Sequence, residues 1–213
     1  MRTFALAVST LETYEDYEFL SFEGRLLFII DFIENYNNNQ KAESIRKDVL
    51  LPNPCAELAD FSDLKTVSQA EVDSLLEADW SSIKFNQVVI GTDSDKNTEF
   101  GCAIANAFID KATKTKALSL DELLDEFRVA FASDSLDKKI KEFEKSDLLY
   151  IYNWGLSALS IDDTPLLALF INKRKKPLLI STDLGVASWH EDVEATDLPQ
   201  NTKLTLVKRS HYW

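Results

Sequence analysis

The sequence predicts an α/β fold, a mainly parallel, five-stranded sheet flanked by helices and preceded by a region of mixed structure. Two observations carry this. Across the second half of the 213 residues, short apolar runs alternate with amphipathic stretches at the spacing of strand–helix–strand units. The hydrophobic share of 45% is that of a globular chain large enough to bury a substantial core.

Taken in order, Phe4 to Val8 reads as a short strand, and Phe22 to Tyr36 as an amphipathic helix with Leu26, Leu27, Ile30 and Ile33 at helical spacing. The polar cluster Asn37, Asn38 and Asn39 is expected to end that helix, and Leu51-Pro52-Asn53-Pro54 is a second break. Short helices and loops are expected from Ser44 to Trp80, with a capping-box pattern from Ser68 to Glu71. Gln87 to Gly91 then reads as a strand and Glu99 to Lys111 as a helix with Cys102, Ile104, Ala105 and Phe108 inward; Thr98 stands where a cap would. A brief strand, Lys116 to Ser119, leads into a helix capped by Ser119, with Asp121 and Glu122 in the first turn where the dipole favours acids. Leu136 to Glu144 and Asp163 to Asn172 are expected helices, while Leu148 to Tyr152, Pro177 to Thr182 and Leu204 to Lys208 are expected strands. The organisation is therefore an N-terminal region, 1–79, followed by an α/β domain, 80–213.

The formal net charge of -13 disfavours non-specific attachment to nucleic acid and favours a protein partner, although acidity also simply confers solubility. Cys55 and Cys102 lack metal-ligand spacing and fit a reducing compartment. No apolar run is long enough to span a bilayer, so a soluble, cytoplasmic protein without membrane attachment is expected.

From about Trp80 to Trp189, several strings follow in a telling order. They are Val88-Val89-Ile90-Gly91, Ala103-Ile104-Ala105-Asn106-Ala107, Leu120 to Phe127, Ser146 to Leu156, and Pro177 to Leu184 with Trp189. This order resembles the DnaC and IstB family of AAA+ P-loop ATPases, the helicase loaders and transposition ATPases. The resemblance implies a P-loop sheet and partners in DNA replication, most directly the replicative helicase or another replication protein.

Where that family carries GxxxxGK[ST], this chain has Gly91-Thr92-Asp93-Ser94-Asp95-Lys96-Asn97-Thr98. Gly91 and Thr98 remain, but Lys96 replaces the second glycine and Asn97 the phosphate-binding lysine. Asp93 and Asp95 add negative charge where a polyphosphate would lie. The strand that should end in two acids ends instead in Tyr152 and Asn153, neither a magnesium ligand nor a general base at neutral pH. Thr182 and Asp183 fall on the sensor position, no arginine lies between Arg174 and Arg209, and Gly185 to Thr202 is too short for the family's helical lid. The sequence thus predicts a pseudo-ATPase with no cofactor, no metal and no catalytic residue. A weak residual ATP-binding protein and an acidic regulator or DNA mimic occupying a basic protein surface are the alternatives.

Lys173, Arg174, Lys175 and Lys176 form a basic cluster that offers a weak contact to single-stranded DNA or a partner, or else simply complements a helix C-terminus. Tyr150, Tyr152 and Trp154 are expected to pack in the core, the latter two filling an empty nucleotide crevice. His190 and His211 are isolated, Ser157 and Ser160 have no activating partner in the sequence pattern, and Asp162 and Asp163 start a helix.

Overall fold

The computed structural model describes residues 2–61, 70, 86–90, 93–155, 159–184 and 210–212. Its elements are helices α1 (Arg2–Glu12) and α2 (Phe22–Asp48), then β1 (Asn86–Ile90), α3 (Ser94–Asp110), β2 (Thr115–Ser119), α4 (Leu120–Ala132) and α5 (Leu136–Phe143). They are followed by β3 (Leu148–Trp154), α6 (Asp163–Lys173), β4 (Leu178–Thr182) and β5 (Ser210–Tyr212).

The five strands form one sheet in the order β2-β3-β4-β1-β5, and every pairing is parallel. The chain steps from β1 to the far edge at β2 and then returns through β3 to β4. Because parallel crossovers are right-handed, this reversal puts α3 on one face and α4 to α6 on the other. Two core layers result. One joins Leu149, Ile151 and Ile180 to Phe127, Phe143 and Phe170, whose rings meet at centroid distances of 5.2 to 5.9 Å. The other joins Leu148, Tyr150 and Leu179 to Phe100, Ile104 and Phe108 of α3 and to Phe61. Such edge-on aromatic contacts add about 1 kcal/mol each beyond area burial.

Local chemistry explains most element boundaries. Ser119 and Glu122 form a reciprocal capping box at the start of α4, as the sequence predicts. In α5, Leu136, Ile140 and Phe143 recur at i, i+4 and i+7, so even two turns present a coherent apolar face.

The N-terminal region departs from expectation. Phe4 to Val8 lies inside α1 and not in a strand: Ala7 and Leu11, four apart, are buried, and α1 packs against α2. A short apolar run does not distinguish the two periods, and the neighbouring helix decides. Likewise Asn37 to Asn39 do not end α2, which runs through to Asp48. Their helix penalty is at most about 0.7 kcal/mol each, and it is outweighed because Ala42 and Ile45 downstream pack with Ile109 of α3. The segment expected as loops and short helices therefore begins only after Asp48. Ser68 to Glu71 and Leu204 to Lys208 are not described as an N-cap or a strand, since all or nearly all of each lies outside the described residues; the last described strand is Ser210–Tyr212. The region from 185 to 202, which bears on the lid, also lies outside them.

Candidate functional site at the carboxyl ends of the strands

In open parallel sheets, ligands bind beyond the carboxyl ends of the strands where the chain reverses direction. Here that place is bounded by the start of α3 and the ends of β3 and β4. Gly91 and Thr92 lie outside the described residues; Asp93 to Thr98 are described.

Helix α3 starts five residues earlier than the sequence suggests. Its N-cap is Asp93, not Thr98: the Asp93 carboxylate accepts a hydrogen bond from the Lys96 N–H at 3.1 Å. Aspartate is among the best caps, and its charge also suits the positive end of the helix. The Lys96 ammonium group stays exposed, 3.8 Å from the same carboxylate. This backbone donor is thus engaged by the chain's own carboxylate.

One residue on, Asn97 is buried and donates from Nδ2 to the carbonyl oxygen of Thr182 at 2.8 Å. Thr182 in turn donates from Oγ1 to the Trp154 carbonyl oxygen at 2.7 Å and accepts from the Leu184 N–H at 3.0 Å. The start of α3, the end of β4 and the end of β3 are thereby laced together by side chains. Thr98 contributes its carbonyl oxygen, which accepts from the Tyr150 hydroxyl at 2.9 Å, while Ser181 Oγ lies 3.0 Å from that hydroxyl. Burial pushes the Tyr150 phenol well above its ordinary pKa, so it serves as a neutral strut. Gly101 is required beside it, because a Cβ there would lie 2.7 Å from the Tyr150 ring carbon Cζ.

Strand β3 ends in a bulge. Ile151 pairs with Ile180 and Trp154 with Thr182, so β3 takes three steps where β4 takes two, and Asn153 adopts φ 58°. Asparagine tolerates this left-handed conformation better than most residues. The extra residue reverses the facing pattern. Tyr150 and Tyr152 point to the α3 layer, whereas Trp154, 1% exposed, packs with Leu149 and Ile151 in the layer of α4 to α6. Trp154 therefore does not fill the crevice by α3 as the sequence suggests. Tyr152 packs at the border of the α3 layer with its hydroxyl reaching to 3.4 Å from Glu122 at the start of α4, and burial together with that carboxylate raises its pKa. Asp183 is exposed beyond β4.

The basic cluster sits at the opposite, amino-terminal end of the strands; Arg174 is drawn inside, while Lys173 and Lys175 stay exposed and Lys176 half-buried. Arg174, 1% exposed, donates to the carbonyl oxygens of Phe143 and Pro177, each at 3.0 Å, and bridges the end of α5 to the residue before β4. Lys173 pairs with Asp137 at 2.6 Å and Lys176 with Asp147 at 2.8 Å. Arg174 is a structural residue, not a surface contact.

A cavity of about 450 Å³ opens elsewhere, between residues 54–59 and the C-terminal half of α3, with Asn106 and Asp110 in its wall. It lies away from the start of α3. Among the described residues, no group of three or more candidate metal ligands occurs and no helix is long and apolar enough to cross a membrane. A feature the sequence reading missed is the Arg128–Asp163 pair: two hydrogen bonds of 2.7 and 2.6 Å join α4 to α6, and Ser160 adds a third at 2.6 Å. The clue available was Ser160 three residues before Asp163, a side-chain turn at a helix start.

Comparison with known proteins agrees with this geometry. A protein of insertion sequence IS1162 from Pseudomonas fluorescens, named for ATP binding, is 26% identical over 142 residues, 66% of this chain and 62% of that protein. Among solved structures, the DnaC helicase loader aligns with a TM-score of 0.55 at 14% identity, over 74% of this chain and 94% of that one. DnaI aligns at 0.52 and 16%, over 74% and 86%. DnaA from Aquifex aeolicus bound to AMPPCP aligns at 0.59 and 11%, over 75% of this chain but only half of that one. These likenesses share the fold of P-loop AAA+ proteins. The sequence pattern of the IstB-like ATP binding proteins matches residues 1–211, and the chain belongs to that family.

Proposed function

We propose that this chain works by binding another protein and not by hydrolysing nucleotide, its AAA+-type sheet serving as a scaffold. The observation that carries this reading is the self-occupied start of α3. The Asp93 carboxylate takes the Lys96 N–H, and the Asn97 amide, in the lysine position, is engaged by the Thr182 carbonyl. A P-loop needs those backbone donors free and a cation among them. A polyphosphate entering here would meet a carboxylate, and two like charges about 4 Å apart repel by about 4 kcal/mol at an effective dielectric near 20. Near the carboxyl end of β3, Tyr152 and Asn153 supply no anionic ligand for magnesium.

The partner we propose is a replication protein, foremost the replicative helicase, by analogy with the DnaC and DnaI structures whose fold the chain shares. A second reading, service to an insertion element, is favoured by the IS1162 relative. Both are separable from a residual ATP-binding role. Calorimetric titration with ATP and magnesium is expected to give no saturable heat up to millimolar concentrations, and the melting temperature should not move. Size-exclusion chromatography with the host's purified helicase is expected to yield a complex that forms equally with and without ATP. Saturable stabilisation, which reaches about 2.7 kcal/mol at a hundredfold excess over Kd, would return the chain to the nucleotide binders.

A further inference from the structure

We infer that the outer face of the α1–α2 hairpin is the docking surface for a separate protein that presents an apolar cleft rimmed by lysine and arginine. The inner side of the hairpin is already satisfied, since Ala7 and Leu11 are buried and the Tyr14 and Phe28 rings meet at 5.4 Å. The outer side is not. Phe22, Leu26, Leu27 and Ile30 recur at i, i+4, i+5 and i+8 along α2, one continuous stripe, and stand 78, 47, 59 and 42% exposed. Phe19 in the turn before α2 and Phe4 on α1 are likewise exposed. Single exposed apolar residues are ordinary, but a contiguous stripe of this size marks an interface.

Charge selects the occupant. Residues 1–36 carry Glu12, Glu15, Asp16, Glu18, Glu23, Asp31 and Glu34 against only Arg2 and Arg25. Arg25 is turned inward, donating to the Leu20 carbonyl oxygen at 3.1 Å with its guanidinium 4.2 Å from the Tyr17 ring centroid. A second copy would bring an equally acidic hairpin against this one, and like charges that come within a screening length of about 8 Å at physiological salt repel. An anionic lipid surface is opposed in the same way, because helices that lie on membranes carry lysine and arginine on the polar face. A basic-rimmed apolar cleft complements both the stripe and its border.

This inference deepens the interaction reading and rests on it only for the class of partner. The test places the photo-crosslinking residue p-benzoylphenylalanine at position 27 of the full chain in its native host. A control carries it at position 161, where Ile161 is 92% exposed. The expected result is a crosslink from position 27 to one heterologous protein, mapped to a segment with lysine or arginine flanking apolar residues, and none from 161. Leu26→Ser, Leu27→Ser and Ile30→Ser together should lower that complex at least tenfold with an unchanged circular dichroism melt. Crosslinks only to a second copy, to lipid or to an acidic segment, equal yield at 161, or no crosslink would overturn it. A mapped partner outside replication would keep the surface and remove the helicase, whereas a helicase complex crosslinked elsewhere would keep the function and remove the surface.

Discussion

The α1–α2 hairpin and the sheet both contain regular apolar spacing, yet they use it in opposite ways. In β3 and β4, Leu148 to Ile151 and Leu179 and Ile180 are wholly buried, sandwiched between two helix layers. In the N-terminal half of α2, residues at equally good helical spacing stand in solvent because α1 covers only one side. Amphipathic pattern therefore reports which side of an element is apolar, but not whether the same chain covers it. A parallel strand is covered on both faces by its own crossover helices, while a peripheral hairpin has a free side that only another molecule can bury.

Substitutions can break this contrast. Trp154→Ala should cost about 3–5 kcal/mol in urea unfolding, whereas Leu27→Ser should stay within about 0.5 kcal/mol. A comparable loss at both positions would mean that the hairpin face is packed in the free chain. Gly101→Ala should cost about 3 kcal/mol, the upper range for overpacking, since the Tyr150 ring is held on both sides and cannot yield. A small loss would mean that the strut between α3 and β3 is softer than the core around it.

Asp163→Asn should cost about 1–2 kcal/mol at pH 7. Asp163 is buried and the Arg128 guanidinium holds its carboxyl at about 2, but Arg128 is half exposed and solvent screening trims the gain. The depressed folded value fixes the sign. This contribution is complete above about pH 4, the unfolded carboxyl range, and drains as pH falls toward 2. Urea midpoints across that window should fall more steeply for the wild type than for the variant. Smallest of all, Asp93→Ala should remove a helix cap worth about 1 kcal/mol and should not by itself create saturable ATP binding, since Asn97 remains tied to Thr182. Calorimetry on that variant checks both halves.

Much of the α/β half was legible in the sequence. Strands β1 to β4 fall within two residues of the apolar runs that predict them, and the capping box at Ser119 and Glu122 forms as written. What misled was local ambiguity. Phe4 to Val8 suits either period over five residues, the three asparagines look like a stop, and Thr98 looks like a cap until Asp93 is seen to cap first. At the site, the sequence names Asn97 and Tyr152 but not their partners. The reach of Asn97 to the Thr182 carbonyl spans 85 positions, and no spacing rule predicts it.

By itself, then, the sequence determined the order of elements from β1 to β4 and the acidity, because these rest on residue type and short-range periodicity. Tertiary structure alone decided where side chains ended up. A one-residue bulge at Asn153 moved Trp154 to the other core layer, carbonyls at the end of α5 and before β4 drew Arg174 inward, and α1, lying against one side of α2, left the stripe from Phe22 to Ile30 on the other side exposed. Each depends on partners far apart in the chain, and local sequence carries no information about what a distant segment will cover.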